Sequence, residues 1–411
     1  MAQARDGATT GRSIEALWRA GIWILLIAAL FLRGKVLYVM LYASVATYFL
    51  SRYIANRSFA ALQFTRALSA ERAFVGERID VTVSVTNPSR LPVVWLLVSD
   101  EVTHLVNVVS PRRAVLSLGP RERKGWTYGV VARRRGLHKF GPLHLEAGDA
   151  FGLAHLRGTS TLQSGLIVYP RIHALEDLGL PSSLPFGEVQ TPTRFFDDPA
   201  HTIGTRPYQA GDPYKSIHWK VSARAGELYV REYQPTIAVD AFIYLNLNEA
   251  EYELHLLEYY SELAIEAAAS IGYALVRDRQ SVGLVTNGAV PGQKDQTVFV
   301  QSRKGSGGLT EILEVLATIE CVPSITLPQL LSETTPRLSW GATLILITPV
   351  DSPRLIDTLL RLRRQGFYLI VIIVGLDPVH KEYLHKPLAP GITFYHVQSP
   401  SALKAIHARA G

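Results

Sequence analysis

One cysteine in 411 residues, Cys321, leaves no second thiol to close an internal disulfide, which agrees with a reducing compartment. Zinc-finger spacing is absent, and no strand pattern interleaves aromatic with basic residues beside the Arg133-Arg134-Arg135 run, so no nucleic-acid partner is expected. Charge is sparse as well. Charged residues make up 19% of the chain against 48% apolar ones, a balance that excludes a disordered chain and leaves room for two or three domains. The net charge of +7 suits anionic surroundings without selecting one.

An uninterrupted apolar run of full membrane-spanning length is also missing. Two dense shorter runs are present, AGIWILLIAALFL (Ala20–Leu32) and VLYVMLYASVATYFL (Val36–Leu50), separated by Arg33-Gly34-Lys35. Each is short for roughly 30 Å of hydrocarbon, but snorkelling of Arg19 and Arg52 extends them to spans at about 14–32 and 36–54. The competing readings are a cleaved signal peptide, for which a small-x-small site is lacking, and buried helices of a bundle. Trp18, Tyr48 and Tyr53 sit near the run ends, where interfacial rings belong. The expectation is therefore a membrane hairpin over 1–60. Arg5, Arg12, Arg19, Arg52, Arg57 and Arg66 flank it against Arg33 and Lys35 in its loop, which predicts a two-span, multi-pass protein of the cell membrane with its bulk cytoplasmic and the lipid bilayer as a partner.

Beyond the hairpin the hydrophobic period becomes two. Ile79, Val81, Val83 and Val85 alternate with polar residues, Asn87-Pro88 marks a turn, and further short strands follow, which predicts a β-sandwich over 67–170. From 236 to 400 strand and helix patterns alternate, with near-continuous apolar strands such as Ala241–Leu247 and Ala342–Thr348. Such strands need cover on both faces, so the fold class is multidomain, ending in a doubly wound α/β domain. Its ligand crevice is expected at the carboxyl ends of strands, near Asn246, Asn287-Gly288 and Thr348–Asp351.

The connecting segment, 171–235, carries the densest chemistry in RPYQAGDPYKSIHWKVSARAGELYVREYQ (Arg206–Gln234). Gly211-Asp212-Pro213 is a turn signal, and alternation of Ile217, Trp219 and Val221 predicts a short strand that buries Trp219. Three roles stay open. Arg206, Arg224 and Arg231 can brace the chain by pairing with Asp212, Glu227 or Glu232; the segment can form a partner-binding surface; or Asp212, His218 and Glu232 can serve acid–base catalysis. No nucleophile or second carboxylate stands beside them in a recognisable spacing.

The string YQAGDPYKSIHWKVSARAGELYVREY, with RRRGLHKFGPLHLEAGDAFGLAHL and a strand ending in VYP, resembles the domain of unknown function 58 family of membrane proteins, over nearly the whole chain. Its signature positions here are Arg206, Tyr208, Gly211, Asp212, His218, Trp219, Lys220, Arg224 and Glu232; Lys215 stands where the family often has arginine. The resemblance implies a C-terminal domain like the von Willebrand factor type A fold, with a MoxR-type AAA ATPase and other membrane or type A-fold proteins as partners. That fold gathers Mg²⁺ in an adhesion loop, and the matching positions here are Asn246, Asn248, Thr310 and Asp351. Two neutral amides, and Ala250 in place of a hydroxyl, give weak ligands for a hard cation, so the loop is degenerate and no cofactor is expected. The resulting functional expectation is a membrane-tethered scaffold or adaptor that assists assembly or maturation of complexes. Its alternative is a membrane-associated hydrolase using the Asp212/His218/Glu232 region.

Overall fold

The computed structural model describes residues 3–32, 34–103, 106–175, 189–190, 197–209, 214, 217–237, 240–292, 297–375 and 392–404; at 3–15, 189–190, 197–204, 231–237 and 404 only the backbone is described. The chain divides into two compact units, Met1–Tyr169 and Pro170–Gly411.

The first unit opens with two helices, α1 (Gln3–Leu32) and α2 (Lys35–Ala60), which pack on one another. No helix is long and apolar enough to cross a membrane among the described residues. This overturns the expected transmembrane hairpin. The two spans, the multi-pass cell-membrane location, the cytoplasmic assignment and the bilayer as partner all rested on it and fall with it. The physical reason is visible in the sequence of α2, where Ser44, Thr47, Ser51, Arg52 and Arg57 dilute the apolar run. Part of that helix is also engaged elsewhere: it lies against the sandwich strands described next, Ser51 bonds Asp149, and Phe59 packs on the sandwich core. Trp23, Ile24, Phe31, Val36 and Val39 remain exposed on the pair.

Ten strands follow: β1 (Gln63–Leu68), β2 (Arg72–Phe74), β3 (Arg78–Thr86), β4 (Val93–Val102), β5 (Val106–Val108), β6 (Arg113–Leu118), β7 (Arg123–Ala132), β8 (Gly136–Gly148), β9 (His155–Ser160) and β10 (Ser164–Tyr169). They form one sheet in the order β1-β3-β7-β5 and a second in the order β2-β10-β8-β4-β6, with β9 added to β8. Alternation explains how the two share a core. Ile79, Val81, Val83 and Val85 of β3 face inward and meet Leu96 and Val98 of β4 and Phe140, Leu143 and Leu145 of β8 in one buried cluster.

A buried polar group ties the sheets together within that core. Arg66 of β1 bonds Asp100 of β4 through Nη2 to Oδ1 at 2.6 Å and Nε to Oδ2 at 3.1 Å. Tyr128 of β7 donates its hydroxyl to Asp100 Oδ2 at 2.6 Å, and Arg66 Nη1 donates to the Phe140 carbonyl at 2.9 Å. Burial pushes the Asp100 carboxyl up from its ordinary value, opposed by the Tyr128 hydrogen bond and the Arg66 charge; burial and the carboxylate raise Tyr128 strongly.

The second unit begins by docking its linker: the His173 amide donates to Ser270 Oγ at 2.9 Å and its ring bonds Glu266 at 2.7 Å. Strand β11 (Val189–Gln190) and β12 (Asp197–Pro207) flank β13 (Tyr229–Ile237) in a small antiparallel sheet, with helix α3 (Trp219–Ala225) before β13. A six-stranded sheet follows, built from β14 (Ala241–Leu245), β15 (Ser281–Thr286), β16 (Val298–Lys304), β17 (Thr343–Thr348), β18 (Tyr368–Val374) and β19 (Ile392–Val397). Their order is β16-β15-β14-β17-β18-β19, all pairs parallel except β15 with β16. Helices α4 (Leu257–Arg277), α5 (Ser306–Thr318), α6 (Leu327–Thr334), α7 (Pro353–Arg364) and α8 (Pro400–Lys404) supply the cover. The strands β14, β15 and β17 are buried along their whole length, as two-sided cover requires.

Candidate functional site

Two places carry the residues singled out by sequence. The first is the carboxyl edge of the six-stranded sheet. Chain order reverses there between β14 and its neighbours β15 and β17, so the loops after these strands diverge and leave their first residues together. Asn246 and Asn287 directly follow β14 and β15, Thr348 ends β17, and all three are buried. Asn246 Nδ2 donates to Thr348 Oγ1 at 3.1 Å and to Glu251 Oε2 at 2.7 Å, while its Oδ1 accepts from Asn287 Nδ2 at 2.9 Å and from the Asn248 amide at 3.2 Å. Asn287 Oδ1 takes the Leu247 amide at 2.6 Å. Asn248 repeats the pattern. Its Nδ2 donates to Glu251 Oε1 at 3.2 Å, and its Oδ1 accepts the amides of Ala250 and Ser324 at 3.3 and 3.2 Å.

Both oxygens of Glu251 are therefore held by the two asparagines, from a one-turn helix (Glu249–Glu251) that Asn248 caps. The amide oxygens that would face a cation are spent on internal donors, and a carboxylate is met by NH₂ groups instead. Asp351 is buried nearby in sequence, after β17. Thr310 is not part of this network: it lies on α5, where its hydroxyl bonds the Ser306 carbonyl one turn back at 3.0 Å. Among the described residues no group of three or more His, Cys, Asp or Glu is placed to hold a metal ion. Glu251 and Tyr252, whose hydroxyl donates to the Asn246 carbonyl at 2.7 Å, were not legible as site residues. Tyr252 is raised well above its ordinary value, by burial first and then by the Cys321 and Glu251 charges.

The second place is the signature segment. Residues 217–221 do not form the expected strand, and Trp219 is not buried. Ile217 makes only an isolated bridge to Val230, and the chain then turns into α3, capped by His218 whose Nδ1 accepts from the Val221 amide at 3.3 Å. The left-handed Gly226 (φ 77°) ends it. Ser222, on the inner face, donates to the His218 carbonyl at 3.1 Å and accepts the Tyr229 amide at 2.8 Å, so α3 is pinned to β13. The inner positions are taken by Ile217, Ser222 and Val230, which forces Trp219 outward to 65% exposure. Tyr214 is 75% exposed and stacks on Tyr208 at 6.3 Å between ring centroids. Lys220 and Arg224 are exposed on the same short helix. Arg206 is half-buried and bonds the Pro207 carbonyl at 3.2 Å. Gly211 and Asp212 lie outside the described residues; Glu232 is placed only as backbone, opposite Gly204 in the β12–β13 ladder.

Comparison with known proteins agrees with part of the family resemblance. The family described as "Protein of unknown function DUF58" matches residues 204–334, the signature segment and the first half of the α/β domain, and not nearly the whole chain. The uncharacterized protein YeaD of Bacillus subtilis (strain 168) is 22% identical over 321 residues, covering 74% of this chain and 75% of that protein. Solved structures are similar only in part. Proximal thread matrix protein 1 from the mussel byssus has a TM-score of 0.31 at 11% identity, covering 41% of this chain and 46% of that one. A native alpha-2-macroglobulin fragment from Escherichia coli has a TM-score of 0.24 at 20% identity, covering 28% of this chain and 18% of that one. None of these similarities names an ATPase, so the expected MoxR-type partner has no support from them. The membrane-tethered scaffold and the membrane-associated hydrolase are both corrected by the same helix finding, since each requires a bilayer anchor.

Proposed function

We propose that this chain is a protein-binding adaptor whose contact surface is the aromatic and basic ledge of the signature segment. The observation that supports it is the exposure of Trp219 and Tyr214 on a helix and turn that are otherwise pinned to β13 through Ser222, His218 and Val230. A large ring held outward on a fixed backbone loses little conformational freedom when it is covered, which is the property of an interface anchor. Lys220 and Arg224 beside it select a partner surface that carries carboxylates. The sheet edge at Asn246 plays the supporting role, since its polar groups are committed to each other and hold the loops in one arrangement.

The test is site-specific photo-crosslinking in cells that make the protein, with the probe placed at Tyr214, at Trp219 and, as a control, at the equally exposed Val115 of the sandwich. One discrete crosslinked species from the first two positions and not from Val115, lost on Lys220→Glu/Arg224→Glu, is the expected result. Identical crosslinks from all three positions, or none from the ledge, would refute it.

A further inference from the structure

The first unit contains an apolar cleft that the adaptor reading leaves unused. It lies between the second half of α2 and the sandwich, with a volume of about 340 Å³, within the range of small-molecule sites. Leu50, Ile54 and Phe59 of α2 form one wall, and Val93, Val94 and Leu156 form the other. Of the four polar side chains in this lining, Thr47, Ser51, Ser58 and Asp149, two bond each other: Ser51 donates its hydroxyl to Asp149 Oδ2.

Asp149 is the unusual member. It is 7% exposed, yet no lysine, arginine or histidine is paired with it among the described residues. Its other oxygen accepts the Ala154 amide at 2.9 Å. Two neutral donors leave acceptor capacity on both carboxylate oxygens, and a carboxylate in apolar surroundings is costly unless a positive charge compensates it. Elsewhere in this unit the same problem is solved internally, where Asp100 is met by Arg66 and Tyr128. At Asp149 the space that such a cation would fill is open cleft.

We propose that this cleft binds a small organic ammonium, its charged head on Asp149 and its hydrocarbon body along the Leu50–Ile54–Leu156 walls. The charge selects against anions of the same shape, and the walls select against hydrated inorganic cations. Neither feature depends on the ledge at Trp219, so the two readings stand or fall separately.

The experiment uses the full chain and three probes of one shape: n-hexylammonium, 1-hexanol and hexanoate, titrated calorimetrically at neutral pH. Hexylammonium should bind saturably at one site, at least tenfold more tightly than hexanol, with hexanoate weakest. Asp149→Asn should remove that tenfold preference and leave hexanol binding in place, with a thermal melt to show that the variant is folded. The wild-type ranking decides the matter even if the variant does not fold. Equal affinity for hexylammonium and hexanol would mean an apolar cleft without charge recognition and would overturn the proposal, as would preference for hexanoate or no binding of any probe.

Discussion

Trp219 and His218 reverse the roles that their spacing suggests. Alternation predicts Trp219 as the buried residue and leaves His218 on the other face, but α3 turns the indole out and gives the imidazole a capping bond. Trp219→Ala should therefore change stability by less than about 0.5 kcal/mol. His218→Ala, which removes an N-cap acceptor, should cost about 1 kcal/mol. Urea unfolding of the two variants checks the order, and a larger loss for Trp219→Ala would mean that the ring is packed. The Arg66–Asp100–Tyr128 group predicts a far larger effect. Asp100→Ala leaves a buried guanidinium without its carboxylate and should cost roughly 3–5 kcal/mol. Tyr128→Phe removes only a hydroxyl bonded to that carboxylate and should cost about 1.5–3 kcal/mol by the same measurement.

Strands were more legible than turns and caps, for reasons that particular elements make plain. The valines of β3 declare their own inward face because side-chain direction alternates along a strand whatever its neighbours are. The fully buried runs of β14 and β17 imply cover on both faces in the same local way. The short alternation of Ile217, Trp219 and Val221 misleads, because the path of these residues is decided by the bonds of Ser222 to His218 and Tyr229, which override it. The edge at Asn246 was half legible. Strand ends pointed to Asn246, Asn287 and Thr348, whereas the grip of the two asparagines on Glu251 depends on a one-turn helix that no pattern announces. Strand β8 carries a pH effect of its own through His138, which is buried, bonds the Arg134 carbonyl at 2.8 Å through Nε2 and has no partner at Nδ1. Burial holds this imidazole below its ordinary 6.5, outweighing the Arg134 carbonyl. The unfolded chain then takes up a proton first as pH falls, so His138 contributes its full stability above pH 6.5 and loses it as pH drops through the lower folded value. Urea midpoints measured from pH 8 to pH 5 should fall more steeply for the wild-type chain than for His138→Leu; parallel curves would show that other groups set the slope.

At the scale of the whole molecule, two compact units close two separate cores. One is centred on Val83, Leu96 and Phe140; the other includes Tyr244, Leu346 and Val371 against helices α6 and α7. The change of hydrophobic period from two to strand–helix alternation marks this division in the sequence, because each period needs its own kind of cover. What sequence could not weigh was the N-terminal helix pair, whose apolar content suggested a bilayer. Ser51 and Phe59 of α2 instead find partners on the sandwich, a contact between residues far apart in the chain that no local window contains. Each unit closes a core of its own, so each should unfold in its own transition. Calorimetry of the intact chain should resolve two transitions. Asp100→Ala should lower one of them and leave the other in place. Leu346→Ala, which empties a fully buried position and should cost about 2–5 kcal/mol, should lower the second alone. If either substitution moved both transitions together, the units would be thermodynamically coupled, and a stress applied to the sandwich would reach the ledge at Trp219 through the fold itself.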